Sequence, residues 1–339
     1  MYERNTKQIA FLSCLIGIGQ CLISYQSTAA ELILPFDPES GEIPESITQD
    51  DDGTLYWSMS NSVWKRTPEG EVSQMGTLPI AAYALGVKIG PDHCVYTVST
   101  SLSDIEGAFV WRICDPDEIT QIAELDHSGG PNDLVIDSTG TIYVTDPFLG
   151  RIWKISPFGE VRIWLSHPLL DGNPENPILV FHSLGVDGIA LGKNENALFV
   201  SNFDFGQILR IGIRKNGAPG LVSIWAADPL LIGADGIAFD RQGRLLVAVN
   251  TQDSIVMVQK NGEVNPIETG GLLDGPSSLV IENDCGTSTL WIANSAFGRA
   301  FGFIPGDPFP ALLASRIEHS PPPWKHYWNW FRRLQQLRR

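Results

Sequence analysis

Basic residues are scarce through most of this chain. Its 339 residues carry a formal net charge of −16; residues 1–29 hold +1 and residues 316–339 hold +5, which leaves −22 on the body between them. Phosphate is gripped by Lys and Arg, so a body this acidic excludes nucleic acid as a partner. The same excess suits cation binding, or simple solubility. Long apolar runs are also missing. The one candidate, Ile9–Ile23, is short of the ~20 residues that a membrane span needs. Helical periodicity is absent from every long segment between residues 45 and 310, so that stretch must be built from strands and turns.

What is present is a repeat. The triplets Glu45-Ser46-Ile47, Leu85-Gly86-Val87, Asn132-Asp133-Leu134, Asp187-Gly188-Ile189, Asp235-Gly236-Ile237 and Ser277-Ser278-Leu279 begin 40, 47, 55, 48 and 42 positions apart. Each opens a short apolar run, followed by a turn and further strands. In the third block Leu134-Val135-Ile136 leads to Asp137-Ser138-Thr139-Gly140, then Thr141–Val144, Arg151–Ile155 and Val161–Trp164. Four short strands per unit, six times over, predict an all-β, six-bladed β-propeller of four-stranded antiparallel blades over residues 30–315. A blade cannot bury both faces alone, so the six must stack around a channel. Glu31–Phe36 is expected to supply the outer strand of the last blade, with Ala311–Ala314 as the alternative.

The two ends read differently. Residues 1–29 look like an export signal: a short start, the apolar run Ile9–Ile23, then Ser27-Thr28-Ala29-Ala30 for cleavage. The expected location is periplasmic or secreted, the alternative an anchor through residues 9–23. Pro321-Pro322-Pro323 ends the body, and residues 316–339 form a basic aromatic tail. That tail is expected to pack on the acidic body or be poorly ordered; the alternative is an interfacial helix making weak membrane contact through residues 324–333. Cys94 and Cys114 flank a predicted hairpin whose tip lies near residue 104. Two buried free thiols are expected there, because a one-residue slip would put them on opposite faces; export would permit a disulfide instead.

In a propeller, equivalent positions of the inner strands meet at one depth around the axis. Glu45, Asn132, Asp187 and Asp235 therefore converge at the mouth, while Leu85 and Ser277 cannot carry the same charge. Converging carboxylates repel unless a cation compensates them. Carboxylate and amide oxygens suit a hard divalent cation, Ca2+, Mg2+ or Mn2+; without His or Cys in the quartet, Zn2+ is the weaker candidate.

With Gly130–Leu134, Tyr143–Asp146, Gly185–Ile189 and Leu198–Asn202, this registered pattern resembles the SMP-30/gluconolactonase/LRE-like family of six-bladed propellers, over roughly residues 40–305. The resemblance implies a calcium-dependent lactonase. It implies metal ligands at Glu45, Asn132, Asp187 and Asp235, with Asp235 as general base. Many relatives carry Asn where this chain has Asp187, and the sugar-binding residues of gluconolactonases have no clear counterparts here. The distantly related paraoxonase type follows its blade-one Glu with an acidic residue that helps hold a second calcium; Ser46 stands there, so one metal is expected. The reading is a metal-dependent hydrolase acting on a small-molecule lactone or ester. His127 and His182, each five residues before a ligand, are further candidates for substrate contact, and Leu170–Gly185 is a candidate roof. The competing readings are a non-catalytic binding propeller with a structural cation, and a virginiamycin-lyase-like enzyme, which would require His in the repeat register.

Overall fold

The computed structural model describes residues 28–101, 107–175, 182–283 and 287–318. The apolar run Ile9–Ile23, the aromatic segment 324–333, Cys14, Cys21 and Cys285 lie outside the described residues. Among the described residues no helix is long and apolar enough to cross a membrane.

Turn chemistry sets the strand rhythm. In the third block Asp137 Oδ1 accepts hydrogen bonds from the backbone N–H groups of Thr139 and Thr141, both at 2.9 Å, and Gly140 takes φ 81°. A short carboxylate at the first position and a residue free to adopt positive φ at the fourth reverse the chain within four residues. Asp50 does the same for Asp52 and Thr54, with Gly53 at φ 87°.

These turns join strands into six four-stranded antiparallel sheets. Their innermost strands are Pro44–Gln49, Tyr83–Ile89, Leu134–Ile136, Val186–Leu191, Ala234–Phe239 and Pro276–Asn283, numbered here as blades one to six. Each inner strand adjoins the next around one axis, and blade six returns to blade one. The protein is a six-bladed β-propeller.

The core lies between blades, as six separate apolar clusters, one per interface. Val135, Tyr143 and Ile152 of blade three pack on Ile189, Leu198 and Leu209 of blade four. The closing interface sets Ile47, Leu55 and the fully buried Trp57 of blade one against Ala293 and Leu312 of blade six. Each large buried apolar side chain contributes about 1.5–3 kcal/mol, so every interface carries a share of the stability.

Blade six has the order Glu31–Pro35, Ala311–Glu318, Thr287–Asn294, Pro276–Asn283. The N-terminal segment is its outer strand, as the sequence suggested. Ala311–Ala314 was not its competitor; it belongs to the neighbouring third strand.

One expectation fails. Cys94 and Cys114 form a disulfide, with Cα atoms 4.5 Å apart. Five consecutive pairs, from Val95 opposite Ile113 to Ser99 opposite Phe109, hold the hairpin without a slip. The next pair outward is Cys94 opposite Cys114. The sequence could not count the residues at the hairpin tip, so it could not settle the register.

Candidate functional site

The six triplets are not turns. They open the inner strands, and in each blade the ladder gains an extra residue there. Glu45 and Ser46 together oppose Ser58, Leu85 and Gly86 oppose Val98, Asp187 and Gly188 oppose Ser201, and Asp235 and Gly236 oppose Ala248. Ser277 is the extra residue of blade six. In blade three the N–H of Asn132 donates to Thr145 O while the N–H of Thr145 donates to Asp133 O. A β-bulge re-aims the side chains it carries. Here it leaves the first residue facing the channel mouth and the second facing a neighbouring blade.

That geometry explains the glycines. A Cβ on Gly86 would meet Asp133 Cα at 2.6 Å, one on Gly236 would meet Ser277 O at 2.6 Å, and one on Gly188 would strike the Asp235 carbonyl. None of the three has positive φ. Glycine is required for the close approach of inner strands, not for a turn.

Hydroxyl groups then tie the ring together. Ser201 Oγ accepts from Gly188 N and donates to Asp235 O, both at 2.8 Å. Thr145 Oγ1 likewise accepts from Asp133 N at 3.1 Å and donates to Asp187 O. Ser277 Oγ donates to Glu45 O at 2.6 Å. The carbonyls of Glu45, Asp187 and Asp235 are thus each fixed by an adjacent blade. Ser277, dismissed by its lack of charge, has a positioning role.

The mouth encloses a cavity of about 250 Å3. Its floor holds Glu45, Asn132, Asp187 and Asp235, with Leu85 completing the blade-two side. Above it runs a second ring, supplied by the residue two places beyond the one that faces each bulge: Ser60, Thr100, Pro147, Phe203, Asn250 and Ser295. Asn250 Nδ2 donates to Asp235 Oδ2 at 3.4 Å, and Asn132 Nδ2 donates to Asp187 Oδ1. The repeat contained this second ring, but its members range over Ser, Thr, Pro, Phe and Asn, so no motif announced it.

Asp187 and Asp235 are 2% and 8% exposed. Burial is the first cause that raises their carboxyl pKa values well above normal; repulsion from Glu45 and Asp133 adds to it for both, with Asp204 adding for Asp187 and Asp187 adding for Asp235. Glu45 faces the cavity and keeps part of its surface. Burial and Asp133 still push it up to about 8, against a pull from Lys88. Lys88 Nζ lies 3.2 Å from Asp133 Oδ1, one step deeper along the axis. Sequence reasoning missed both residues; Lys88 is the rare basic residue of an inner strand.

The donor set suits a hard divalent cation: three carboxylates and two amides, all oxygen-bearing. Among the described residues no group of three or more His, Cys, Asp or Glu side chains is gathered as a metal cluster. The amide of Asn132 presently gives Asp187 its nitrogen, and half a turn of that amide presents its oxygen to the same space.

The histidines stand outside this floor. His127 Nε2 lies 3.0 Å from Glu124 Oε1, and its ring packs on Phe109. His182 stacks on Phe148, centroids 4.2 Å apart, with Nδ1 at 2.8 Å from Ser183 O. It backs the cavity wall through Phe148 without lining the cavity itself.

No protein-family model and no curated sequence matches the chain. Solved structures resemble it in fold. They include a gluconolactonase of Xanthomonas campestris, 16% identical, with 86% of this chain and 89% of that one covered and a TM-score of 0.61. A luciferin-regenerating enzyme is 12% identical over 85% and 95%, at 0.58. Virginiamycin B lyase from Staphylococcus aureus is 18% identical over 80% and 82%, at 0.55. At such identities the likeness shows the fold alone and nothing finer.

Proposed function

We propose that the protein is a hydrolase that opens a lactone or related ester at the mouth of the channel, dependent on one divalent cation. The observation that carries this reading is the cavity floor: three carboxylates from three blades, raised in pKa by burial and one another, open to the mouth. Perturbed titratable groups in a cavity mark candidate active sites.

Glu45, Asn132, Asp187 and Asp235 would hold the cation, Ca2+ in the first instance. When bound, it supplies carbonyl polarisation and charge stabilisation. The chain's own residues do the rest. Asp235 takes the proton of a water molecule as that water attacks the acyl carbon. The C–O bond of the ring then breaks, and Asp235 returns the proton to the departing oxygen, leaving a hydroxy acid. Asn250 orients the Asp235 carboxylate, and Ser201 fixes its backbone. The Cys94–Cys114 disulfide supports an exported location, periplasmic or secreted, since such bonds persist in oxidising compartments.

The test is a panel of lactones and esters assayed with and without chelator, on wild type and Asp235→Asn. Turnover that needs the cation and falls ~10^2–10^4-fold in the variant is expected. Calorimetric binding of calcium with no turnover on any substrate would instead leave a binding propeller with a structural ion.

A further inference from the structure

The polar floor is lopsided, and the wall above it completes the asymmetry. Blades one, three, four and five supply the four polar groups. Blade two supplies Leu85, and blade six supplies a strap, residues 295–310, between its second and third strands. Phe297, Phe301, Phe303 and Ile304 of that strap line the cavity. The three phenylalanines form one cluster, with centroids 4.6 to 6.3 Å apart. Phe301 and Phe303 remain 39% and 38% exposed, a large apolar surface turned to an open site. Phe148 and Phe203 face them from blades three and four.

The strap is anchored. Arg299 pairs with Asp253 at 3.0 Å and with Asp274. Asp274 Oδ2 accepts from Phe309 N at 2.8 Å, and Asn294 Nδ2 donates to Phe309 O at 2.8 Å. Its aromatic face is therefore preformed, and a preformed wall spends little binding energy on ordering.

We propose that the substrate is a lactone or ester bearing an alkyl or aryl substituent, and that the blade-six strap selects it over polyhydroxylated sugar lactones. This rests on the hydrolase reading. Among the described residues no Lys, Arg, His or Gln lines the cavity. A sugar lactone would bury several hydroxyls against phenylalanine, and each hydroxyl left unpaired is costly. One hydroxyl of the protein awaits a partner: Thr100 Oγ1, on a residue 4% exposed, lines the cavity and has no hydrogen-bond partner among the described residues. It matches a single ring or ester oxygen beside an apolar group.

The experiment compares glucono-δ-lactone with γ-lactones carrying alkyl chains of increasing length. Binding of the corresponding non-hydrolysable alkyl γ-lactams is measured in parallel by calorimetry. In wild type, KM and lactam Kd should fall about fourfold per added methylene until the cavity is full. Phe301→Ser with Phe303→Ser should flatten that slope to less than twofold per methylene. Arg299→Ala, which frees the strap, should flatten it in part. Thr100→Val should weaken lactam binding about fivefold while slightly raising Tm, because it removes an unpaired buried hydroxyl; a purely structural role for Thr100 predicts the opposite sign in Tm. Chain-length-dependent lactam binding without turnover of any ester keeps the apolar pocket and sinks the hydrolase reading. A flat wild-type slope, or a higher kcat/KM for glucono-δ-lactone than for every alkyl lactone, overturns the pocket and leaves the hydrolase reading standing.

Discussion

Two sets of acids meet at successive depths of the channel, and they are neutralised differently. At the deeper level Asp133 accepts hydrogen bonds from Leu134 N at 2.8 Å and Ile189 N at 3.3 Å, and Lys88 Nζ stands 3.2 Å away. Its charge is satisfied within the chain. At the mouth, Asp187 and Asp235 each have an amide for a neighbour, and neither they nor Glu45 has a basic side chain in salt-bridge contact among the described residues. A buried carboxylate with its own ammonium is architecture. Carboxylates crowded without one, beside an open cavity, fit a site meant for an external cation. The contrast separates a structural acid from the functional candidates more clearly than residue type does, since all four are acidic and buried or nearly so.

The sharpest way to break this contrast is to remove one charge from each level. Asp187→Asn should lower calcium affinity at least ~100-fold, as calorimetry would measure, because even partners of metal ligands are worth 10–100-fold. The same variant should raise the Tm of the chelated protein by relieving repulsion. A drop in chelated Tm would show that Asp187 is structural. At the deeper level the effect should be on stability: Lys88→Met leaves Asp133 buried without its partner and should cost roughly 3 kcal/mol in urea unfolding. Adding Asp133→Asn should restore most of it. If the double variant is no more stable than the single, the pair is not what holds that level.

Stability against pH gives the next contrast. Glu45 has its pKa raised from 4.5 to about 8 in the folded protein, and Asp187 and Asp235 are raised too. Such groups favour the fold while protonated: their contribution is full below the unfolded value and is lost as pH climbs through the folded one. The chelated protein should lose several degrees of Tm between about pH 5 and pH 8. Excess calcium should abolish or reverse that slope. Equal slopes with and without calcium would mean that the mouth carboxylates do not bind it.

The least effect on the mouth is expected from the blade-two disulfide, whose cysteines do not line the cavity. Replacing Cys94 and Cys114 by Ser should cost about 3 kcal/mol, the scale for a loop of this length. Calcium affinity should stay the same. A change in affinity would mean that blade two couples its hairpin to the channel.

Much of this was legible in the chain. The period of the triplets gave six blades because identical units stack by one rule. Glu45, Asn132, Asp187 and Asp235 were found together because equal repeat positions reach equal depth. What stayed hidden depends on contacts between blades. Ser277 looks idle until its hydroxyl is seen on the Glu45 carbonyl. Lys88 and Asp133 sit 45 residues apart and meet only across an interface. His127 and His182 each stand five residues before a member of the floor, yet the loops carry them to Glu124 and Phe148. The disulfide needed a register that no composition could count.

The sequence by itself determined the architecture and which residues share the floor, because a repeat converts position along the chain into position around an axis. It also determined the triplet glycines, whose reason is the close approach of neighbouring inner strands. Only the tertiary structure decided that the triplets are bulges, that Lys88 serves Asp133, and that an apolar strap overlooks the acids. Those depend on where one blade's side chains end beside another's. Such distances are set by packing, and packing has no period to read.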